Sequence, residues 1–343
     1  MLLRASASAL RGPASASAAA ALARRAASGA AGARYIVPPE AIAAFHRDGY
    51  VTLPKFLNDA EIRPIEEVYD ELMSGKGGLA AAMRKDYCDM SQGFDVKPDA
   101  FRIVNAMLPR IYRPALQGSV YEKRASDVVH QLYAGKFGID YDQLLDKKPR
   151  NPKAVFAWHQ DVREGRGGEG GEGGRGCAPR SRVDAPPALA RRRLWQMGYW
   201  PPPAYTPDTR TATFSLALDA TTAANGALKF VPGSHKAKVI RPHVPIGKSR
   251  DDAHAIAIDF DEAAEKIVMA TLARGDVSIH DEYVVHGSAG NLTDGHRRTY
   301  VLAFRTVETI ALERKAGFTH SHNDETNWDT FHKLVEKGQG KMA

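Results

Sequence analysis

The chain has 343 residues, 43% of them hydrophobic, a formal net charge of +7 and two cysteines. This length suits one large domain or two small ones; no apolar run reaches the roughly 18 residues of a membrane span, and Cys88 and Cys177 are too few for a disulfide framework or a thiolate metal site. The positive charge is local: residues 1–34 carry five arginines and no acid, and residues 162–196 carry eight arginines against four acids. The remaining body is therefore slightly acidic, and recognition of nucleic acid through a basic face loses its support.

Met1 to Arg34 is almost entirely Ala, Ser, Arg, Gly and Leu, with no acid before Glu40. Arginines spread through such a stretch, without a compact apolar core, make the composition of an organellar transit peptide, read here as mitochondrial with chloroplast as the alternative. The competing reading is a disordered low-complexity tail without an address.

Residues 35–343 read as a single domain. Pro38 to Phe45 opens a short helix that Gly49 ends. Tyr50–Pro54 reads as a strand. Asn58-Asp59-Ala60-Glu61 is a capping-box start to a helix running to about Ser74, with Ile62, Ile65, Val68, Tyr69 and Leu72 on its apolar face. Residues 101–104 form a short strand, and residues 119–134 return to helical spacing. The back half is strand and turn. Candidate strands are 137–145, 153–159, 210–219, 227–231, 254–260, 266–272, 276–280, 283–287 and 298–305, separated by turns such as Ala224-Asn225-Gly226 and Arg274-Gly275-Asp276. Many short strands behind a helical front predict a mainly β fold, a double-stranded β-helix (jelly roll, cupin-like) flanked by helices.

Three His-x-Asp triplets occur, at His46, His159 and His322. Only Trp158-His159-Gln160-Asp161 leaves an apolar strand and has a later strand histidine, His286, with an arginine, Arg297, downstream. Two neutral imidazoles and one carboxylate can occupy one face of an iron(II) ion and leave other positions open. An arginine can hold a carboxylate by two parallel hydrogen bonds. For each histidine the competing reading is a satisfied core residue. His280 is the nearest rival ligand, although Asp281-Glu282 after it predicts a loop. Arg297 and Arg298 point to opposite faces if both lie in a strand, so one of them faces the interior.

The ordered set Phe45-His46-Arg47-Asp48-Gly49-Tyr50-Val51, Trp158-His159-Gln160-Asp161, Ala217-Leu218-Asp219-Ala220, Asn225-Gly226, Val231-Pro232-Gly233-Ser234-His235-Lys236, Gly275-Asp276, and His286-Gly287-Ser288 with Arg297 resembles the phytanoyl-CoA dioxygenase family of iron(II)- and 2-oxoglutarate-dependent oxygenases. The resemblance implies a jelly roll with iron held by His159, Asp161 and His286. It implies Arg297 as partner of the distal carboxylate of 2-oxoglutarate, with Ser288 assisting and Gln160 placed to touch the cosubstrate. Iron(II), 2-oxoglutarate and O2, with ascorbate in support, would hydroxylate an unactivated C–H bond and release succinate and CO2. The presence of Asp161 favours hydroxylation over halogenation, because halogenating relatives lack the carboxylate.

The family pattern breaks directly after Asp161. Val162–Gln196 holds eight glycines, clustered Arg and Pro, and neither helical nor strand period. It reads as a disordered insertion and as a translated, unspliced intron: valine codons begin GT, glutamine can be CAG, and removing the stretch joins Asp161 to Met197-Gly198-Tyr199-Trp200. A genuine surface loop is the rival, since loop closure costs only a few kcal/mol even at this length. Tyr199 and Trp200 are expected near the mouth of the barrel, in contact with a small-molecule substrate or packed on the core. Two other classes remain open: a non-catalytic jelly-roll binding protein, and a metal-dependent isomerase or lyase, which would not need Arg297.

Overall fold

The computed structural model describes residues 34–74, 78–83, 86–92, 96–161, 208, 210–241, 243–245, 256–315 and 319. The transit-peptide stretch up to residue 33, the 162–196 insertion, Tyr199, Trp200, Cys177 and His322 lie outside them.

Among the described residues thirteen strands follow in chain order: β1 Tyr50–Leu53, β2 Tyr87–Asp89, β3 Ile103–Met107, β4 Phe137–Lys147, β5 Phe156–His159, β6 Thr211–Ala217, β7 Leu228–Phe230, β8 His243–Pro245, β9 Ile256–Ile258, β10 Val268–Ala270, β11 Val277–His280, β12 His286–Ser288 and β13 Arg297–Thr306. Seven build one sheet in the order β1-β11-β6-β13-β4-β3-β2, four build a second in the order β10-β7-β12-β5, and β8 pairs with β9. Every pairing is antiparallel. The expected jelly roll is present, and strands from before and after residues 162–207 share both sheets.

β6 shows how one strand serves two layers. Side chains alternate across a sheet. Thr213 and Ser215 face a cavity between the sheets, whereas Phe214 and Leu216 enter the main apolar core. That core is completed by the helices Pro39–Asp48, Asp59–Ser74 and Val120–Leu132, which contribute Phe45, Ile62, Ile65, Leu72, Tyr121, Val128 and Val129. Each such side chain stabilises the fold by about 1.5–3 kcal/mol, and Phe214→Ala would cost about 3–5 kcal/mol.

Local chemistry sets the helix ends. Gly49 takes φ 83° after Asp48 and closes the first helix by donating its N–H to Phe45 O, a left-handed cap that glycine adopts without Cβ strain. Asn58 and Glu61 exchange side-chain-to-backbone hydrogen bonds of 3.0 Å, so the capping box is literal. Helices Leu79–Met83 and Val307–Lys315 were not foreseen, and neither were strands β2 and β8.

One expectation needs correction. The predicted strand 283–287 is a turn followed by β12, which starts at His286. Asp281 accepts the N–H of Tyr283 on its side chain (2.9 Å) and that of Val284 on its carbonyl (3.2 Å), which bends the chain. Val284 and Val285 are fully buried in the turn, so their apolar character reads as strand without being strand. His280 is the last residue of β11, as the candidate strand 276–280 predicts, and the loop begins at Asp281.

Candidate metal and cosubstrate site

β5 ends at His159 and β12 begins at His286, and the two residues are register partners. Their rings lie 4.2 Å apart. His159 Nδ1 sits 2.7 Å from Ala157 O, and His286 Nδ1 sits 3.0 Å from Val284 O. A carbonyl can only accept, so each Nδ1 carries the proton and each Nε2 presents a bare lone pair. Both Nε2 atoms stand 3.7 Å from one oxygen of Asp161, Oδ1.

Among the described residues, His159, Asp161 and His286 offer ligand atoms that all lie within 4.8 Å of one another. Burial pushes the pKa of both imidazoles down and keeps them neutral. Burial raises the Asp161 carboxyl, and the N–H that His280 turns toward its Oδ2 (3.2 Å) draws it back, below its usual range. Neutral imidazoles and an ionised carboxylate are the protonation states that metal binding requires. Two nitrogens and one oxygen on one side fit a divalent iron with open positions on the other.

The three ligand candidates line a cavity of about 100 Å³ together with Met90, Tyr141, Gln143, Leu145, Thr213, Ser215, Leu228, His280 and Val301. Ser215 and Leu228 also border a smaller void that reaches Arg297, Thr299 and Ser278. Arg297 is buried, and its Nε has no hydrogen-bond partner. Burial lowers its pKa to about 10, against the attraction of Asp146 and Asp219. Arg298 points the other way and pairs with Asp219 (2.7 Å) and Glu66 (3.0 Å), as alternation along a strand demands.

Ser288 does not stand free. Its Oγ accepts from Lys147 Nζ at 2.5 Å, and the same ammonium donates to Ala289 O at 2.5 Å. Lys147 is fully buried, and burial together with Arg297 drives its pKa well down. Among the described residues neither Lys147 nor Arg297 has a carboxylate in ion-pair range. Thr299 Oγ1 and Ser278 Oγ beside Arg297 also lack partners. Two buried cations and two unsatisfied hydroxyls make a cradle for an anion.

Sequence reasoning missed Lys147. At the end of a strand and followed by Lys148-Pro149-Arg150, it reads as an exposed terminus. The available signal was its spacing of two from Tyr141, Gln143 and Leu145, which places it on the interior face of β4.

Gln160 is a correction. It is buried between the two ligand candidates, but its side chain faces away from the cavity. Its amide donates to Tyr283 O (2.7 Å) and Val239 O (3.1 Å), and its carbonyl accepts from Arg241 N–H (2.8 Å). It ties loops together and is not among the residues that line the described cavity.

Residues 195–299 match the family model described as phytanoyl-CoA dioxygenase (PhyH). The match contains His286 and Arg297 and begins at the C-terminal border of the 162–196 stretch. A probable alpha-ketoglutarate-dependent hypophosphite dioxygenase of Stutzerimonas stutzeri is 23% identical over 270 residues, 77% of each chain. Ectoine dioxygenase of Sphingopyxis alaskensis is 22% identical over 288 residues, 80% of this chain and 78% of the relative. In structure, EvdO2 from Micromonospora carbonacea var. aurantiaca, complexed with 2-oxoglutarate, superposes with a TM-score of 0.54 at 20% identity over 80% of this chain and 93% of that one. EctD from S. alaskensis with bound Fe gives 0.51 at 20% identity over 80% and 78%. The structural likenesses establish a shared fold.

Proposed function

We propose that this member of the phytanoyl-CoA dioxygenase family, an iron(II)- and 2-oxoglutarate-dependent dioxygenase, hydroxylates an unactivated C–H bond of a small organic or acyl-CoA-type substrate and releases succinate and CO2. The observation that carries the reading is the pairing of two sites in one interior. The bare Nε2 atoms of His159 and His286 flank Asp161 Oδ1, and next to that cavity Arg297 and Lys147 are buried with no carboxylate in ion-pair range among the described residues.

His159, His286 and Asp161 would hold the iron. Arg297 and Lys147 would hold the distal carboxylate of 2-oxoglutarate, with Ser288 fixing the ammonium. When bound, the iron and cosubstrate supply the oxidising chemistry, and O2 is the oxidant they activate. The chain contributes orientation and charge, and the largely apolar walls formed by Met90, Leu145, Leu228 and Val301 exclude water. Tyr199 and Trp200 remain proposed substrate contacts, and ascorbate a supporting reductant.

Residues 1–34 are proposed to direct the chain to the mitochondrion, with the chloroplast as alternative. Residues 162–196 are proposed to be a retained intron; the family match starting at residue 195 supports this. Sequencing transcripts across codons 161–197 tests it, and messages that all retain the segment defeat it.

Activity is tested with purified full-length protein and a variant lacking 162–196, supplied with iron(II), ascorbate, 2-oxoglutarate and a fractionated metabolite extract. Succinate release with matched O2 consumption is expected, and its absence from both forms across all fractions would sink the assignment.

A further inference from the structure

Asp161 has two carboxylate oxygens in different surroundings. Oδ1 faces the Nε2 atoms of His159 and His286 at 3.7 Å each. Oδ2 lies 3.2 Å from His280 Nε2 and 3.5 Å from Thr213 Oγ1. His280 and Thr213 are register partners on the neighbouring strands β11 and β6, and both line the cavity. The rigid seven-stranded sheet therefore presents two donors to one oxygen, while the ligand histidines of the other sheet stand at the second.

The proton positions separate His280 from its neighbours. An ionised carboxylate only accepts, so His280 Nε2 carries the proton and its buried Nδ1 is left without a partner. His159 and His286 are protonated on Nδ1 instead. His280 thus turns N–H, not a lone pair, toward the site, although its ring lies 4.4 Å from that of His286. Asp161 is also tied by its backbone, its N–H donating to Glu282 O at 3.0 Å.

We propose that His280, assisted by Thr213, is a positioning residue that occupies Asp161 Oδ2, so that the carboxylate binds metal through Oδ1 alone. This rests on the metal-site reading above. A free carboxylate can chelate with both oxygens. Chelation here would fill one of the positions that a cosubstrate and O2 need. Outer groups that hydrogen-bond to ligating side chains commonly change metal affinity by about 10–100-fold when removed.

The test uses cobalt(II) added to metal-free full-length protein, reading affinity by calorimetry and coordination number from the visible absorption spectrum, without reference to turnover. His280→Phe is expected to weaken cobalt binding by about 10–100-fold and to shift the spectrum toward higher coordination. His280→Gln, which keeps an N–H donor, is expected to restore most of both. Thr213→Val should move both readouts the same way by less, and it carries the test if His280→Phe does not fold. Wild-type affinity and spectrum in both Thr213→Val and His280→Phe, or in Thr213→Val alone where His280→Phe does not fold, would overturn the proposal. Equal loss in His280→Gln and His280→Phe, with a spectrum missing one nitrogen donor, would overturn it in favour of His280 as a ligand. A wild-type protein that binds no cobalt at all would instead overturn the metal site itself.

Discussion

Arg297 and Lys147 stand directly opposite each other across the β13–β4 pairing, both buried and both cationic in type. Like charges facing each other across a sheet destabilise it, and removing two cations from water costs several kcal/mol each unless an anion compensates. The distal carboxylate of 2-oxoglutarate, held by both as proposed above, would convert this penalty into binding energy. On that proposal this part of the protein serves its ligand at the expense of the ligand-free fold.

The first prediction follows from that cost. Lys147→Met should raise the melting temperature of the ligand-free protein, because it removes a buried ammonium and keeps most of the volume. The same variant should lose the further rise in melting temperature that 2-oxoglutarate gives the wild type through preferential binding to the folded state. Differential scanning fluorimetry with and without 2-oxoglutarate measures both. A variant less stable than wild type, with its ligand response intact, would contradict the anion cradle.

Arg297→Ala addresses the same cradle by kinetics. Truncating one partner of a buried, hydrogen-bonded charge pair costs about 2–5 kcal/mol, so KM for 2-oxoglutarate should rise by roughly 30-fold or more. Cobalt affinity should stay near wild type, because Arg297 is not among the clustered ligands. His159→Ala and Asp161→Ala should do the reverse and abolish both metal binding and succinate release. Succinate assays and metal titrations on the same preparations separate the two patterns.

Much of this site is legible in the chain because its markers are local. His159 and Asp161 sit two apart at the end of an apolar strand, and His286 precedes a small-residue turn. Strand alternation narrowed the cosubstrate arginine to Arg297 or Arg298, and the family resemblance named Arg297. What escaped depends on the third dimension. Lys147 looks like a solvated strand end and proves to be fully buried. Gln160 neighbours both ligand candidates in sequence, yet one residue along a strand reverses the side chain. His280 could be named as a rival ligand, but only the contact with Asp161 assigns its proton. The valines before His286 pack in a turn and mimic a strand. The capping box at Asn58 and the glycine cap at Gly49 were readable because their chemistry is complete within a few residues.

His296 predicts a pH dependence. Its Nδ1 lies 2.8 Å from the buried Asp146 carboxylate, and this hydrogen bond, with the attraction of Asp146, raises its pKa above the ordinary 6.5. Below about pH 6.5 the folded and unfolded forms are both protonated, and the pair contributes in full. Between 6.5 and the raised folded value only the folded form retains the proton, so the contribution is lost as pH rises through that window. His296 is half exposed, so the effect is modest. His296→Gln should therefore lower the melting temperature more at pH 6 than at pH 9. An equal or larger effect at pH 9 would show that the pair does not act through charge.

Gly226 packs closely behind Ala289 O and the Lys147 side chain. It takes φ +80°, and a Cβ there would lie 2.2 Å from Ala289 O and 3.1 Å from Lys147 Nζ. Left-handed backbone costs a residue with a Cβ about 1–2 kcal/mol, and the overlap with a backbone carbonyl adds to this. Ala289 O is one of the two acceptors that hold Lys147, so relief of the clash should displace the ammonium. Gly226→Ala is expected to lower the melting temperature and raise KM for 2-oxoglutarate together, with cobalt affinity unchanged because the ligands lie on other strands. Loss of stability alone, with KM as in wild type, would mean that the Ala289 carbonyl can move without carrying Lys147 with it.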